Sequence, residues 1–156
     1  MRSKATNFLE MYPKIRVSLI LIEDGRLYLV KHRKRGHSYW VLPGGTVEYG
    51  ETLKETAIRE IEEEINLRIE LGKLVFIGDT IPPDGHRHTI DLYFTGKILG
   101  GELKLGSEEI LEGVERIDLN SLSEIDFRPD IEEDIKKAYQ NQFCGEAKYL
   151  GNTWEK

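Results

Sequence analysis

The segment from Gly44 to Leu67 constrains this chain more than any other. Two glycines follow Pro43, and Glu51 leads into a run of helix-forming residues with carboxylates at 60, 62, 63 and 64. At about 100° per residue, Leu53, Ala57, Ile58, Ile61 and Ile65 fall on one arc roughly 140° wide, the face a helix buries. Glu60, Glu63 and Glu64 share an arc of roughly 100° that overlaps the edge of that face, while Glu55 and Glu62 point to the far side. Like charges at such spacings repel by about 0.2–0.5 kcal/mol per pair, and beside a low-dielectric core they also lose hydration. A cation is therefore expected at this edge. Oxygen-only ligands select hard divalent ions, and magnesium in particular is held by one or two carboxylates together with a substrate's phosphates. A bare run of glutamates is equally what a well-solvated helix carries, so the flanking residues decide between the two readings.

Those flanks are ordered: Gly45, five residues, Glu51, seven residues, Arg59-Glu60, the aliphatic Ile61, one residue, Glu63-Glu64, one residue, then Asn66 and the aliphatic Leu67. The pattern resembles the signature of the Nudix hydrolases, MutT-like enzymes, and departs from it once, with Asn66 where the family has glycine. Asparagine accepts the left-handed conformation that ends a helix, so the turn is expected to persist. The resemblance implies an α/β (α+β) fold, a mixed curled β-sheet sandwiched between α-helices, and metal-dependent hydrolysis of a nucleoside diphosphate linked to a further group. It implies that Glu60, Glu63 and Glu64, helped by the Gly45 carbonyl, bind magnesium or manganese, and that Arg59 pairs with Glu51 to fix the helix against the glycine loop. The general base is Glu60 or, from a later loop, Glu109, with Glu108 and Glu112 behind it; that loop trio reads equally well as simple solvation. Pro83, sixteen residues beyond Leu67, is the kind of proline that marks family members acting on ADP-ribose. ADP-ribose or a nucleotide sugar is thus the first substrate reading. Nucleoside triphosphates and dinucleoside polyphosphates follow, and a catalytically silent nucleotide sensor stands as an alternative of another class.

A chain of 156 residues suits one domain, taken as residues 1–156, with room for a full core. No apolar run reaches the roughly 20 residues that span a bilayer, and the first residues lack the apolar centre of a signal peptide, so a cytoplasmic location and no membrane partner are expected. Residues 1–44 hold nine Lys/Arg against three Asp/Glu, and the remainder thirteen against twenty-five. A net charge of −6 argues against backbone-driven nucleic-acid binding, and the eleven residues before Tyr12 are too few for a fused DNA-binding segment. A small anionic nucleotide fits better; a homodimer is left open. The one cysteine, Cys144, reads as a packing residue.

In chain order, Ile15 to Glu23 reads as a strand, turned at Glu23–Gly25 into a second strand from Arg26 to His32. Lys31 to His37 is the densest cationic stretch, either a solvated loop tip or a phosphate clamp through Arg33 and Arg35. Trp40 reads as a packed aromatic before a base-stacking platform. Thr52 and Glu55 form a capping box that starts the central helix. Leu67 to Ile77 is one bent strand or two short ones, Asp79 to Gly85 a loop, and His88 to Ile98 a strand closed by a Gly100-Gly101 hairpin into Glu102 to Leu105. His86 and His88 share a parity and read as structural before a ligand pair. An acidic loop from Gly106 to Gly113 precedes a strand at Val114 to Ile117. Ser121 to Ile125 is a helical turn, Asp130 with Glu133 caps a helix to Asn141, and the aromatic tail docks on the body.

Overall fold

The computed structural model describes residues 12–155; the expectations for the first eleven residues lie outside that range. Nine strands and two helices alternate as β1 (Lys14–Ile20), β2 (Ile22–Glu23), β3 (Arg26–Lys34), β4 (His37–Val41), β5 (Gly44–Thr46), α1 (Leu53–Ile65), β6 (Leu67–Thr80), β7 (Thr89–Gly101), β8 (Leu111–Asp118), α2 (Glu132–Gln140) and β9 (Lys148–Asn152). Short 3-10 turns cover Leu119–Glu124 and Thr153–Glu155. Among the described residues no helix is long and apolar enough to cross a membrane.

Five strands form a mixed sheet in the order β5-β1-β7-β6-β9, with β1 parallel to β7 and β6 antiparallel to it. A second sheet is centred on β3, which pairs with β2, β4 and β8. The single strand expected over Ile15–Glu23 is broken at Leu21, because the chain leaves the first sheet there and β2 enters the second.

Strand alternation sends neighbouring side chains into two cores. Val17 and Leu19 of β1 and Phe94 of β7 pack with Ala57, Ile61 and Ile65 of α1. Ile20 and Tyr93, facing the other way, pack with Phe76, Ile131 and Ile135 beside α2. The helices therefore cover opposite faces of the sheet, and burying Ile61 and Ile65 completely contributes about 1.5–3 kcal/mol each. Leu53 and Ile58 lie at the border of the buried arc.

Both ends of α1 form as local chemistry dictates. Thr52 Oγ1 accepts from the Glu55 amide at 3.1 Å while Glu55 Oε1 accepts from the Thr52 amide at 2.9 Å, and Asn66 ends the helix at φ 60°, ψ 33°. Elsewhere long-range pairing changes the expected bounds. β6 runs unbroken from Leu67 to Thr80 through three register irregularities. β7 continues through Gly101, which pairs with Leu67, so no hairpin follows and Glu102–Leu105 form no strand. The cationic stretch is a tight hairpin between β3 and β4, not a loop: Arg35 and Gly36 have φ of 51° and 82°, and Lys34 faces His37. The second helix starts at Glu132 behind Ile131, with no side-chain cap, so the Asp130 capping box does not form. Cys144 is exposed rather than packed. Trp40 is partly buried against the core beside α2, under the Lys31 ammonium, and the tail docks as β9, parallel to β6.

Candidate active site

β5 brings its two glycines into close approach with β1 and α1. A Cβ on Gly44 would strike the Val17 carbonyl, and one on Gly45 would occupy the place of the Glu60 carboxylate. Glycine is thus required at 44 by backbone contact, while at 45 it leaves the Glu60 carboxylate its place, with the middle of α1 lying over β5.

Arg59 ties this junction together. Its Nε and Nη2 donate to the two oxygens of Glu51 at 2.6 and 2.9 Å, its Nη2 also reaches the Thr46 carbonyl at 3.3 Å, and its Nη1 donates to Glu60 at 2.8 Å and Glu63 at 3.3 Å. Glu51 further accepts from the Thr56 hydroxyl at 2.7 Å and the Glu48 amide at 3.1 Å. The Arg59 guanidinium, followed by these donors, holds the Glu51 carboxyl at about 2, from an ordinary 4.5. Burial works the other way on Glu60 and raises its pKa, although Arg59 partly offsets the shift.

The acidic edge divides. Glu64 is buried; its Oε1 accepts from the Gly44 amide at 3.0 Å and its Oε2 lies 4.0 Å from His32 Nε2, a buried atom with no hydrogen-bond partner. Glu60 and Glu63 point instead to Glu108, and the three carboxylates offer ligand atoms that all lie within 4.8 Å of one another. Glu108 arrives there because the loop after β7 caps α1: Lys104 N donates to the Ile65 carbonyl at 3.1 Å and Gly106 N to the Glu64 carbonyl at 2.9 Å. Two like charges at such a separation repel by about 1 to 3.5 kcal/mol between bulk-water and near-surface dielectric. Three carboxylate oxygens converging from a helix and a loop are a donor set that suits magnesium or manganese.

Of the other expected site residues, Glu109 is exposed and outside this group. Glu112 is engaged with the hairpin, accepting from Ser38 at 3.0 Å and lying 3.3 Å from Lys31 and 3.4 Å from Arg33. These contacts, that of Ser38 first, lower its pKa. Arg33 is thereby partnered, whereas Arg35 stands at the hairpin tip with no ion pair among the described residues. His86 and His88 diverge to separate acids, Asp84 at 2.6 Å and Asp79 at 3.5 Å. Pro83 is exposed in the loop after β6, beside the buried Pro82. Spacing alone favours Glu109 over Glu108 and does not single out His32; no local pattern marks a residue whose position is set by a distant strand or helix end.

A model of the NUDIX domain matches residues 12–142 of the chain. The chain is 34% identical over 120 residues to an ADP-ribose pyrophosphatase of Methanocaldococcus jannaschii, covering 76% of this chain and 70% of that protein. It is 42% identical over 84 residues to a putative mutator protein MutT4 of Mycobacterium tuberculosis, covering 53% of this chain but only 33% of that relative's length. A solved NUDIX hydrolase from Nitrosomonas europaea superposes with a TM-score of 0.74 over 84% of this chain and 90% of its own, at 16% identity, a likeness of fold alone. With the family's model matching residues 12–142, the chain belongs to the Nudix hydrolase family as a pyrophosphohydrolase.

Proposed function

We propose that the protein hydrolyses the pyrophosphate linkage of ADP-ribose or a closely related nucleotide sugar, with Glu60, Glu63 and Glu108 holding magnesium. The observation that carries the metal reading is the convergence of those three carboxylates; the substrate reading is supported by the ADP-ribose pyrophosphatase relative and by Pro83. When bound, the cation neutralises charge growing on the non-bridging oxygens of the diphosphate. Arg59 does not contact substrate in this scheme. Clamped by Glu51, it fixes the azimuth of Glu60 and Glu63 on α1 and lowers their mutual repulsion until the cation enters. Glu64, accepting from the Gly44 amide, anchors the glycine strand under the site, and the bare α-carbon of Gly45 leaves room for the Glu60 carboxylate.

The proton of the attacking water needs an acceptor within hydrogen-bond reach. Glu63 and Glu108 are committed to the cation, whereas Glu109, exposed in the same loop, lies outside that group; Glu109 is the loop glutamate assigned as base, with Glu60, whose pKa burial raises, the alternative. Arg35, without an ion pair among the described residues, supplies a cation for an outer phosphate. The test is release of AMP from ADP-ribose by the purified protein with and without millimolar magnesium, alongside nucleotide sugars, nucleoside triphosphates and dinucleoside polyphosphates. Faster turnover of a triphosphate than of ADP-ribose would overturn the substrate reading, and binding without turnover of any of them would establish the sensor instead.

A further inference from the structure

The metal site leaves unused one buried carboxylate and one partly buried guanidinium that stand side by side. Asp91 on β7 is 6% exposed, and Arg16 on β1 is its register partner in the parallel pair, so both project from the same face. Buried opposite charges on adjacent strands ordinarily pair, since each is costly to desolvate alone. These do not. Arg16 turns to the Ser18 hydroxyl and the Leu42 carbonyl, both at 3.3 Å, and has no carboxylate in ion-pair contact among the described residues. The other partly buried cations, Lys31, Arg59 and Lys136, all have one. Asp91 Oδ2 accepts from the Thr80 hydroxyl at 2.7 Å. Its Oδ1 has no hydrogen-bond partner among the described residues.

An ionised carboxylate only accepts and a guanidinium only donates, so a group seated here must present a donor to Asp91 and an acceptor to Arg16 at fixed spacing. A rigid base edge meets that demand. An aromatic surface lies at the same end of the sheet: Thr153 Oγ1 is 3.3 Å from Thr80 Oγ1, and the next residue, Trp154, is 41% exposed with the Arg87 guanidinium 5.5 Å over its ring. Arg16 is also linked to the helix junction through the backbone, since it is paired across β5 with Thr46, whose carbonyl Arg59 holds.

We infer that Asp91 and Arg16 read the base of the substrate, Asp91 accepting from the exocyclic amino group of adenine and Arg16 donating to the neighbouring ring nitrogen. The choice of adenine rests on the ADP-ribose reading above; the donor–acceptor frame does not. Hypoxanthine reverses the donor and acceptor positions, so wild-type protein is expected to bind AMP at least about tenfold more tightly than IMP by calorimetry. In Asp91→Asn, whose amide both donates and accepts, the ratio should fall to within about threefold, and KM for ADP-ribose should rise with kcat little changed. Arg16→Lys, which keeps the charge but loses the fork, should weaken AMP binding as an independent variant. Equal binding of AMP and IMP by the wild type overturns the inference, as does an unchanged ratio in a folded Asp91→Asn or ribose 5-phosphate binding as tightly as AMP. An Asp91-dependent AMP preference without turnover of ADP-ribose would support this site while sinking the substrate reading; turnover with a base preference indifferent to Asp91 would do the reverse.

Discussion

Glu108→Gln should move the protein's stability in opposite directions with and without magnesium. In the metal-free protein, Glu60 and Glu63 are partly neutralised by Arg59, at 2.8 and 3.3 Å, while Glu108 faces both within 4.8 Å with no ion-pair partner among the described residues. Removing its charge deletes two repulsive pairs. Because Glu108 is exposed, the water-like end of the Coulomb estimate applies, about 1 kcal/mol per pair at low salt and less once screened. A gain of up to about 2 kcal/mol raises Tm by roughly 4–8 °C in a chain of this size. With magnesium the order reverses. A ligand at a hundred times its Kd stabilises the folded state by about 2.7 kcal/mol, or roughly 5–10 °C, and a site short of one carboxylate requires more metal for the same shift. The assay is thermal melting of wild type, Glu108→Gln and Glu109→Gln across a magnesium titration at low ionic strength, with no substrate present. The expected pattern is a higher starting Tm and a flattened magnesium response for Glu108→Gln, with Glu109→Gln following the wild type. A wild-type Tm indifferent to millimolar magnesium, or Glu109→Gln behaving as Glu108→Gln does, refutes the three-carboxylate site.

Glu63→Gln should cost at least about a hundredfold in kcat/KM. Glu62→Gln, whose side chain lies about 100° away on the helix, should cost little; steady-state kinetics giving equal losses would separate the acidic edge from catalysis. The Glu51 carboxyl, held at about 2 from 4.5 by Arg59 first, adds stability that is present above pH 4.5 and lost as the pH falls towards 2. Wild type should therefore lose stability across that window more steeply than Glu51→Gln in denaturant titrations at stepped pH, and parallel curves would contradict the clamp. Arg35→Ala should raise KM several-fold with kcat nearly constant. Arg33→Ala should do so less, because Arg33 is tied to Glu112, and kinetics unchanged in both return the hairpin to a solvated turn.

Legibility in the sequence followed the range of the interactions involved. The capping box at Thr52, the buried arc through Ala57, Ile61 and Ile65, and the left-handed Asn66 are decided within one or two helical turns, and the sequence pattern places them where the structure does. The reach of Arg59 to Glu51 spans eight residues and needed only the glycine turn to fold back. What failed depends on partners far along the chain. The break at Leu21 exists because two sheets compete for one run of apolar residues, and β7 overruns the expected Gly100-Gly101 turn because Gly101 has Leu67 to pair with. Glu108 could not be told from Glu109 by spacing, since its direction is fixed by amides at 104 and 106 bonding to the end of a helix some forty residues earlier.

Those two amides make the stretch after β7 a ruler. With Gly106 fastened to the Glu64 carbonyl and pressed so closely on Glu63 that a Cβ would meet its carbonyl oxygen, only one residue separates the fastened point from Glu108. A residue inserted before Lys104 can bulge outward and leave that measure intact. A residue inserted between Gly106 and Glu108 shifts every later side chain by one place, turning the glutamate away and bringing Ser107 or the insert toward the carboxylates. A library varying loop length on either side of Gly106 should therefore divide sharply, with tolerance upstream and loss of the magnesium response downstream, although both sets alter the same surface loop.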